Sequence, residues 1–139
     1  MPDPIRIRTT RFAAAVAVAV LAILAPVSAR AQDASRTYTF AEVETKPSLA
    51  SVTNFQRIVS EGYPEELRRR RMGGIAEIAF VVDASGHVEP GSIEIVDATQ
   101  PAFGEAAKQA LLITGFKPGK MSGSPVRTKV SLPIIYRVQ

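Results

Sequence analysis

Cysteine and tryptophan are absent from this sequence, and histidine occurs once, at His87. Without Cys there is no disulfide framework, no zinc ribbon or finger, no Cys-ligated iron–sulfur cluster and no thiol nucleophile. A lone His excludes multi-histidine metal sites. Also missing are a G-x-G-x-x-G turn, a P-loop, an H-E-x-x-H helix and a G-x-S-x-G elbow. Asp83 lies near His87 but in a turn sequence, Asp83-Ala84-Ser85-Gly86, where it reads as a turn former rather than as the orienter of a base. Glu77 and Glu94 fall on strand positions expected to face away from the helices. Exposed carboxylates without a pocket stay ionised and inert. Nothing assembles a nucleophile, an orienter and an oxyanion site. The expectation is a protein with no catalytic residues, no metal and no cofactor: not an enzyme.

Excess positive charge is also nearly missing once the N-terminus is set aside. The 139-residue chain carries 17 Lys and Arg against 13 Asp and Glu. Arg6, Arg8, Arg11 and Arg30 precede Gln32, with only Asp3 against them. The other 108 residues hold 13 basic and 12 acidic side chains. The isoelectric point near 9.8 therefore describes mainly a terminal segment, and a nucleic-acid partner loses its support. At 46% hydrophobic and 22% charged, the chain has the composition of one globular domain with a modest core.

The first 31 residues follow the layout of a secretory signal peptide. Met1–Arg11 is basic. Phe12–Ala29 runs 18 residues without a charge. Pro26 then breaks any helix, and Ala29-Arg30-Ala31 offers a small–x–small cleavage site before Gln32. No Arg-Arg pair occurs there, which favours the general secretory route. The rival reading is an uncleaved membrane anchor, because such a run reaches the short end of the spanning range of about 17–25 residues.

In the remaining chain, 32–52 reads as a linker or a weak extra strand, with Tyr38, Phe40 and Val43 spaced among Thr and Glu. Thr53 with Gln56 has the form of a capping box, followed by Phe55, Ile58 and Val59 on one helical face that Gly62 ends. Tyr63-Pro64 opens a second helix. Its acids (Glu65, Glu66) precede its bases (Arg68–Arg71), as the macrodipole favours, and Gly73-Gly74 stops it. The Arg run reads as a solvated helix end. Ile75–Asp83 alternates as a strand, Gly86 suits the hairpin turn, and Val88–Val96 returns as its partner with a bend at Pro90-Gly91. Thr99-Gln100-Pro101 caps a third helix that Gly115 closes. A last strand alternates over Val126–Val138. The predicted class is α+β: a small antiparallel three-stranded sheet with helices packed on one face, in the order helix–strand–strand–helix–strand after the leading helix. Ile78, Phe80, Val82, Ile93, Ile95, Leu111, Val130 and Leu132 are expected to fill the core.

The ordered set Tyr63-Pro64…Gly74, Ile78-Ala79-Phe80-Val81-Val82-Asp83 and Gly86-His87-Val88 resembles the opening half of the TonB C-terminal domain. Phe103…Glu105-Ala106-Ala107, Phe116-Lys117-Pro118, Gly123-Ser124-Pro125-Val126 and Leu132-Pro133-Ile134 resemble its closing half. The resemblance covers Tyr63–Val138, within a domain expected to span 53–139. It implies a three-stranded antiparallel sheet backed by helices, which binds a short motif of an outer-membrane TonB-dependent receptor. Energy-transducing members keep an anchor with a polar residue and a long spacer. Here Phe12–Val27 has no polar residue, and the 22 residues Gln32–Thr53 span at most about 75 Å.

The implied protein is a periplasmic binding module, exported by a signal peptide. The alternatives are a single-pass inner-membrane energy transducer for transmembrane transport and a structural or accessory envelope protein, such as a homodimer. A membrane is involved only if the N-terminal segment is retained.

The binding surface is predicted at the last strand. Pro133 has no N–H for a ladder, so the strand should be an edge. Backbone alternation then turns Arg127, Lys129 and Ser131 outward together with Pro133. These four are the expected partner-binding residues, pairing with an extended segment by strand addition.

Overall fold

The structure, a computed structural model, describes residues 35–138; the predicted export segment over 1–31 lies outside the described residues. The element order is β1 (Thr37–Thr39), β2 (Ser48–Leu49), α1 (Val52–Glu61), α2 (Glu65–Arg69), β3 (Gly74–Val82), a 3-10 turn (Pro90–Ser92), β4 (Glu94–Ala98), α3 (Pro101–Leu112), β5 (Phe116–Lys117), β6 (Gly119–Met121) and β7 (Ser124–Tyr136). Among the described residues, no helix is long and apolar enough to cross a membrane.

The centre is the expected antiparallel arrangement. β7 pairs with β3 from Thr128–Val82 to Tyr136–Gly74, and β4 flanks β3. Two further strands correct the three-stranded expectation. The outer side of β7 takes β1 in parallel, and β6 joins the start of β7 as an antiparallel hairpin arm, so the sheet is mixed and five-stranded. β2 and β5 form a separate two-stranded ladder. β1 falls within the stretch read as a linker or weak extra strand; its three residues carry only a weak signal, and their pairing depends on residues ninety positions away.

The period-2 pattern of β3 and β7 falls on the faces it predicts. Ala76, Ile78, Phe80 and Val82 are fully enclosed against the helices, and Val126, Thr128, Val130, Ile134 and Tyr136 are buried on the same side of β7. From α3, Phe103, Ala107, Ala110 and Leu111 close over them. Tyr63, Phe103 and Tyr136 meet in one aromatic cluster: Phe103 stacks on Tyr136 at 4.6 Å, and Tyr63 stands edge-on to both at 5.5 and 5.6 Å. Tyr63 also donates its hydroxyl to the Met72 carbonyl at 2.6 Å. The Tyr-Pro that opens α2 thus anchors the return from α2 to β3.

Several local expectations need correction. Ser51, not Thr53, caps α1, accepting from the Asn54 N–H at 3.2 Å. The expected cap of α3 holds, with Gln100 as the N-cap and Pro101 in the first turn. The return strand is shorter than Val88–Val96, because Pro90 cannot join a ladder and the chain turns through Pro90–Ser92 before β4 begins at Glu94. Glu77 pairs with Asp97 and Ile78 with Ile95, which leaves Val96 as a bulge residue. Ile95 is 37% exposed rather than in the core. It lies on an edge strand, covered on one side only by α3, where a Cβ on Gly104 would come within 2.9 Å of its Cγ2. Ile93 and Leu132 pack on the core from partly buried positions.

The turn after β3 behaves as its residues suggest. Asp83 Oδ1 accepts from the N–H groups of Ser85 (2.8 Å) and His87 (2.9 Å), while Gly86 adopts φ +86. His87 is exposed and contributes its backbone to the turn.

Candidate strand-accepting edge

β7 is thirteen residues long, longer than any strand beside it, and this length creates the site. Its inner side is covered by β3 along nine residues. Its outer side is covered only in part. β1 takes Arg127–Lys129, while β6 pairs with Ser124–Val126, ahead of the β3 ladder that begins at Thr128. From Val130 to Tyr136, no strand among the described residues pairs with the outer side. Pro133 sits in this stretch opposite Glu77, where a missing N–H costs no ladder bond if it faces outward.

The structure divides the four predicted site residues. Arg127 and Lys129 lie within the β1 ladder, so they do not belong to the open edge as was expected. Arg127 is engaged further: Nε and Nη2 donate to Glu89 Oε1 and Oε2 at 2.6 and 2.7 Å, and Nη1 donates to the Ser35 carbonyl at 2.7 Å. This bidentate bond lowers the Glu89 pKa below the usual carboxylate range and raises that of Arg127. Ser131 and Pro133 are on the uncovered stretch. Ser131 donates its hydroxyl to Glu77 Oε1 at 2.9 Å.

Beside the uncovered stretch runs a groove of about 350 Å³, lined by Phe55, Val59 and Tyr63 on one wall and by Pro133–Arg137 on the other. Phe55, Ile58 and Val59 form the one apolar face that their spacing predicts for α1. Only Ile58 is buried, and Phe55 and Val59 remain half-exposed at the groove. That incomplete covering has no signature in the sequence, since periodicity marks an apolar face and not what covers it.

Tyr136 lines the same groove and is 2% exposed. Its hydroxyl is buried without a hydrogen-bond partner, and burial pushes its pKa up to about 12. At the far end, Arg68 donates to the Ser60 carbonyl at 2.9 Å and lies 5.5 Å above the Tyr63 ring. The rest of the Arg run is a solvated helix end, with Arg69 and Arg70 facing Glu65 and Glu66 at 4.0 and 3.7 Å. The described residues contain no group of acidic and His side chains able to hold a metal.

Fold and site together define a class: a small α+β domain whose long last strand keeps part of one edge open beside a helix. Residues 60–138 match the family described as Gram-negative bacterial TonB protein C-terminal. The match spans more than half of the chain, and the chain belongs to this family. It is thus a TonB-like envelope protein of transport energy transduction; proteins with this domain are periplasmic or anchored in the inner membrane, and the domain is in general non-enzymatic.

Among solved structures, the chain is similar to the Pseudomonas aeruginosa TonB C-terminal domain determined by solution NMR. The identity is 17%, the TM-score is 0.51, and the alignment covers 76% of this chain and 97% of that one. It is also similar to the Helicobacter pylori TonB C-terminal domain, at 22% identity and a TM-score of 0.40, covering 63% of this chain and 80% of that one. No curated protein matches the chain.

Proposed function

We propose that this protein is a periplasmic module that binds an extended segment of an outer-membrane TonB-dependent transport protein, or of another envelope protein, by adding it as a strand to the outer edge of β7 between Val130 and Tyr136. The observation that carries this reading is the coincidence of an unpaired strand edge with an apolar groove. In strand addition, main-chain hydrogen bonds supply affinity, while pockets for alternate side chains supply specificity. Ser131 and Pro133 lie on the accepting stretch, and Phe55, Val59 and Tyr63 would receive the side chains that turn toward α1.

Export through residues 1–31 is part of the same reading. Its alternative form keeps that segment as an inner-membrane anchor, which would let the domain transmit force to its partner. An intact mass beginning at Gln32 supports the exported module, whereas retention of Met1–Ala31 in the membrane fraction supports the anchored form.

The binding reading is tested by introducing Ser131→Cys and Ile135→Cys in turn and cross-linking in whole Gram-negative envelopes. Adducts should map to the N-terminal segment of an outer-membrane protein. Adducts from an exposed position on β4, such as Asp97→Cys, with none from β7, would move the site to the other edge of the sheet.

A further inference from the structure

The outer edge of β7 is divided between an uncovered stretch and one that the chain covers itself, and what lies at the division is a short, clipped strap. β1 pairs in parallel with Arg127–Lys129 and then leaves the sheet where the open edge begins. The departure is built in. Thr39 donates its N–H to Glu42 Oε2 at 2.7 Å, and the Glu42 N–H returns to the Thr39 carbonyl at 3.1 Å. This closes a turn that directs the chain away from Val130.

Two clips hold the strap. At its start, Arg127 holds the Ser35 carbonyl while bound to Glu89. At its end, Glu44 and Thr45 donate to the Lys120 carbonyl at 3.1 Å each, and Glu44 Oε2 accepts from the Ser122 N–H at 2.9 Å. Tyr38 and Val43 form a small cluster with Val126 and Met121, separate from the main core. A strap with its own cluster can detach without opening the main core, as local unfolding does at the low-stability end of a fold.

We propose that β1 is an intramolecular competitor for the strand-accepting edge. Docked, it confines an incoming segment to Val130–Tyr136; detached, it extends the accepting edge back to Arg127. This regulation rests on the strand-acceptor reading above. A tethered strand is present at an effective concentration on the order of millimolar. A partner of ordinary affinity therefore stops at the strap, and a partner with a longer matching segment displaces it. Because β1 runs parallel to β7 with Tyr38 turned into the cluster, a displacing segment would also run parallel and place a bulky apolar residue in the same position.

The experiment uses the full chain with Tyr38→Ala, and with Tyr38→Pro as the stronger variant. Native-state hydrogen exchange should show the Lys129 amide, which alternation turns toward β1, exchanging at least tenfold faster in the variant. The Thr128 and Val130 amides, turned toward β3, should keep their protection. If both variants leave Lys129 protected, or if both also expose the β3 amides, β1 is not a detachable competitor and the proposal fails.

Cross-linking in envelopes then reads the footprint. Ile135→Cys should form adducts with the strap docked or released, while Lys129→Cys adducts should rise at least tenfold only on release. Lys129→Cys adducts at full yield with the strap docked, or no rise once exchange shows release, overturn the competitor and leave strand acceptance standing. Loss of the Ile135→Cys adducts in both backgrounds overturns strand acceptance itself, and the proposal with it.

Discussion

The guanidinium of Arg127 and the carboxylate of Glu89 form a two-point bond at 2.6 and 2.7 Å across 38 positions of sequence. Both side chains are about 30% exposed, so the pair is partly shielded from water. It ties the turn before β4 to β7, and through the Ser35 carbonyl it also holds the start of β1.

The pair makes stability depend on acid. Its hydrogen bonds lower the Glu89 pKa in the folded state, so its contribution is fully present above the unfolded carboxylate value, about 4.3, and is lost as pH falls through the lower folded value. Glu89→Gln should therefore be less stable than the parent at neutral pH, with the gap closing as pH falls through that window. Urea midpoints measured from pH 7 down to pH 3 would check this. A gap that stays constant over that range would mean that the ion pair contributes nothing.

Phe80 is fully enclosed and its ring lies 5.4 Å from that of Phe116. Phe80→Ala should cost about 3–5 kcal/mol, a large share of the stability of a small domain. Urea denaturation gives the value, and a midpoint near that of the parent would contradict the assigned core face.

Gly86→Ala should be among the most destabilising single-atom additions. The residue has φ +86, and a Cβ there would fall 2.1 Å from the Phe116 carbonyl oxygen. The turn also supplies the Gly86 carbonyl that accepts from the Phe116 N–H at 2.9 Å. Strain and overpacking together should cost about 3 kcal/mol or more. Thermal unfolding provides the test; Gly91→Ala, where a Cβ would meet nothing, is the control expected to stay near the parent.

Tyr136→Phe should hold or raise stability, because it removes a buried hydroxyl that has no partner while keeping the ring stacked on Phe103. An unsatisfied buried polar group costs about 1–3 kcal/mol. A higher melting temperature is expected, and a clear loss of stability would show that the hydroxyl is hydrogen-bonded in solution.

Much of the fold can be read along the chain because its signals are local. The face of β3 follows from the alternation of Ala76, Ile78, Phe80 and Val82. The turn at Asp83–Gly86 follows from a side chain that accepts neighbouring N–H groups and a residue free to take positive φ. The order of Glu65, Glu66 and Arg68–Arg71 follows from the helix dipole. Pro133 carries information about its own stretch: a residue without an N–H needs no ladder partner on one side, and β7 is unpaired there, although β1 flanks the strand further back.

Which part of that edge is open was decided only in three dimensions. Arg127 and Lys129 look like edge residues by parity, and parity is correct about their direction; it says nothing about whether another strand already lies there. β1 has only three residues, too few to fix a partner from pattern alone, so its place comes from Tyr38 entering a cluster with Val126 and from Arg127 reaching Ser35. The exposure of Ile95 likewise depends on β4 lying at the sheet edge, and the groove depends on how far α1 stands from β7. Periodicity records which side of an element is apolar. What covers that side is set by contacts between residues far apart in the chain, and those exist only once the chain has folded.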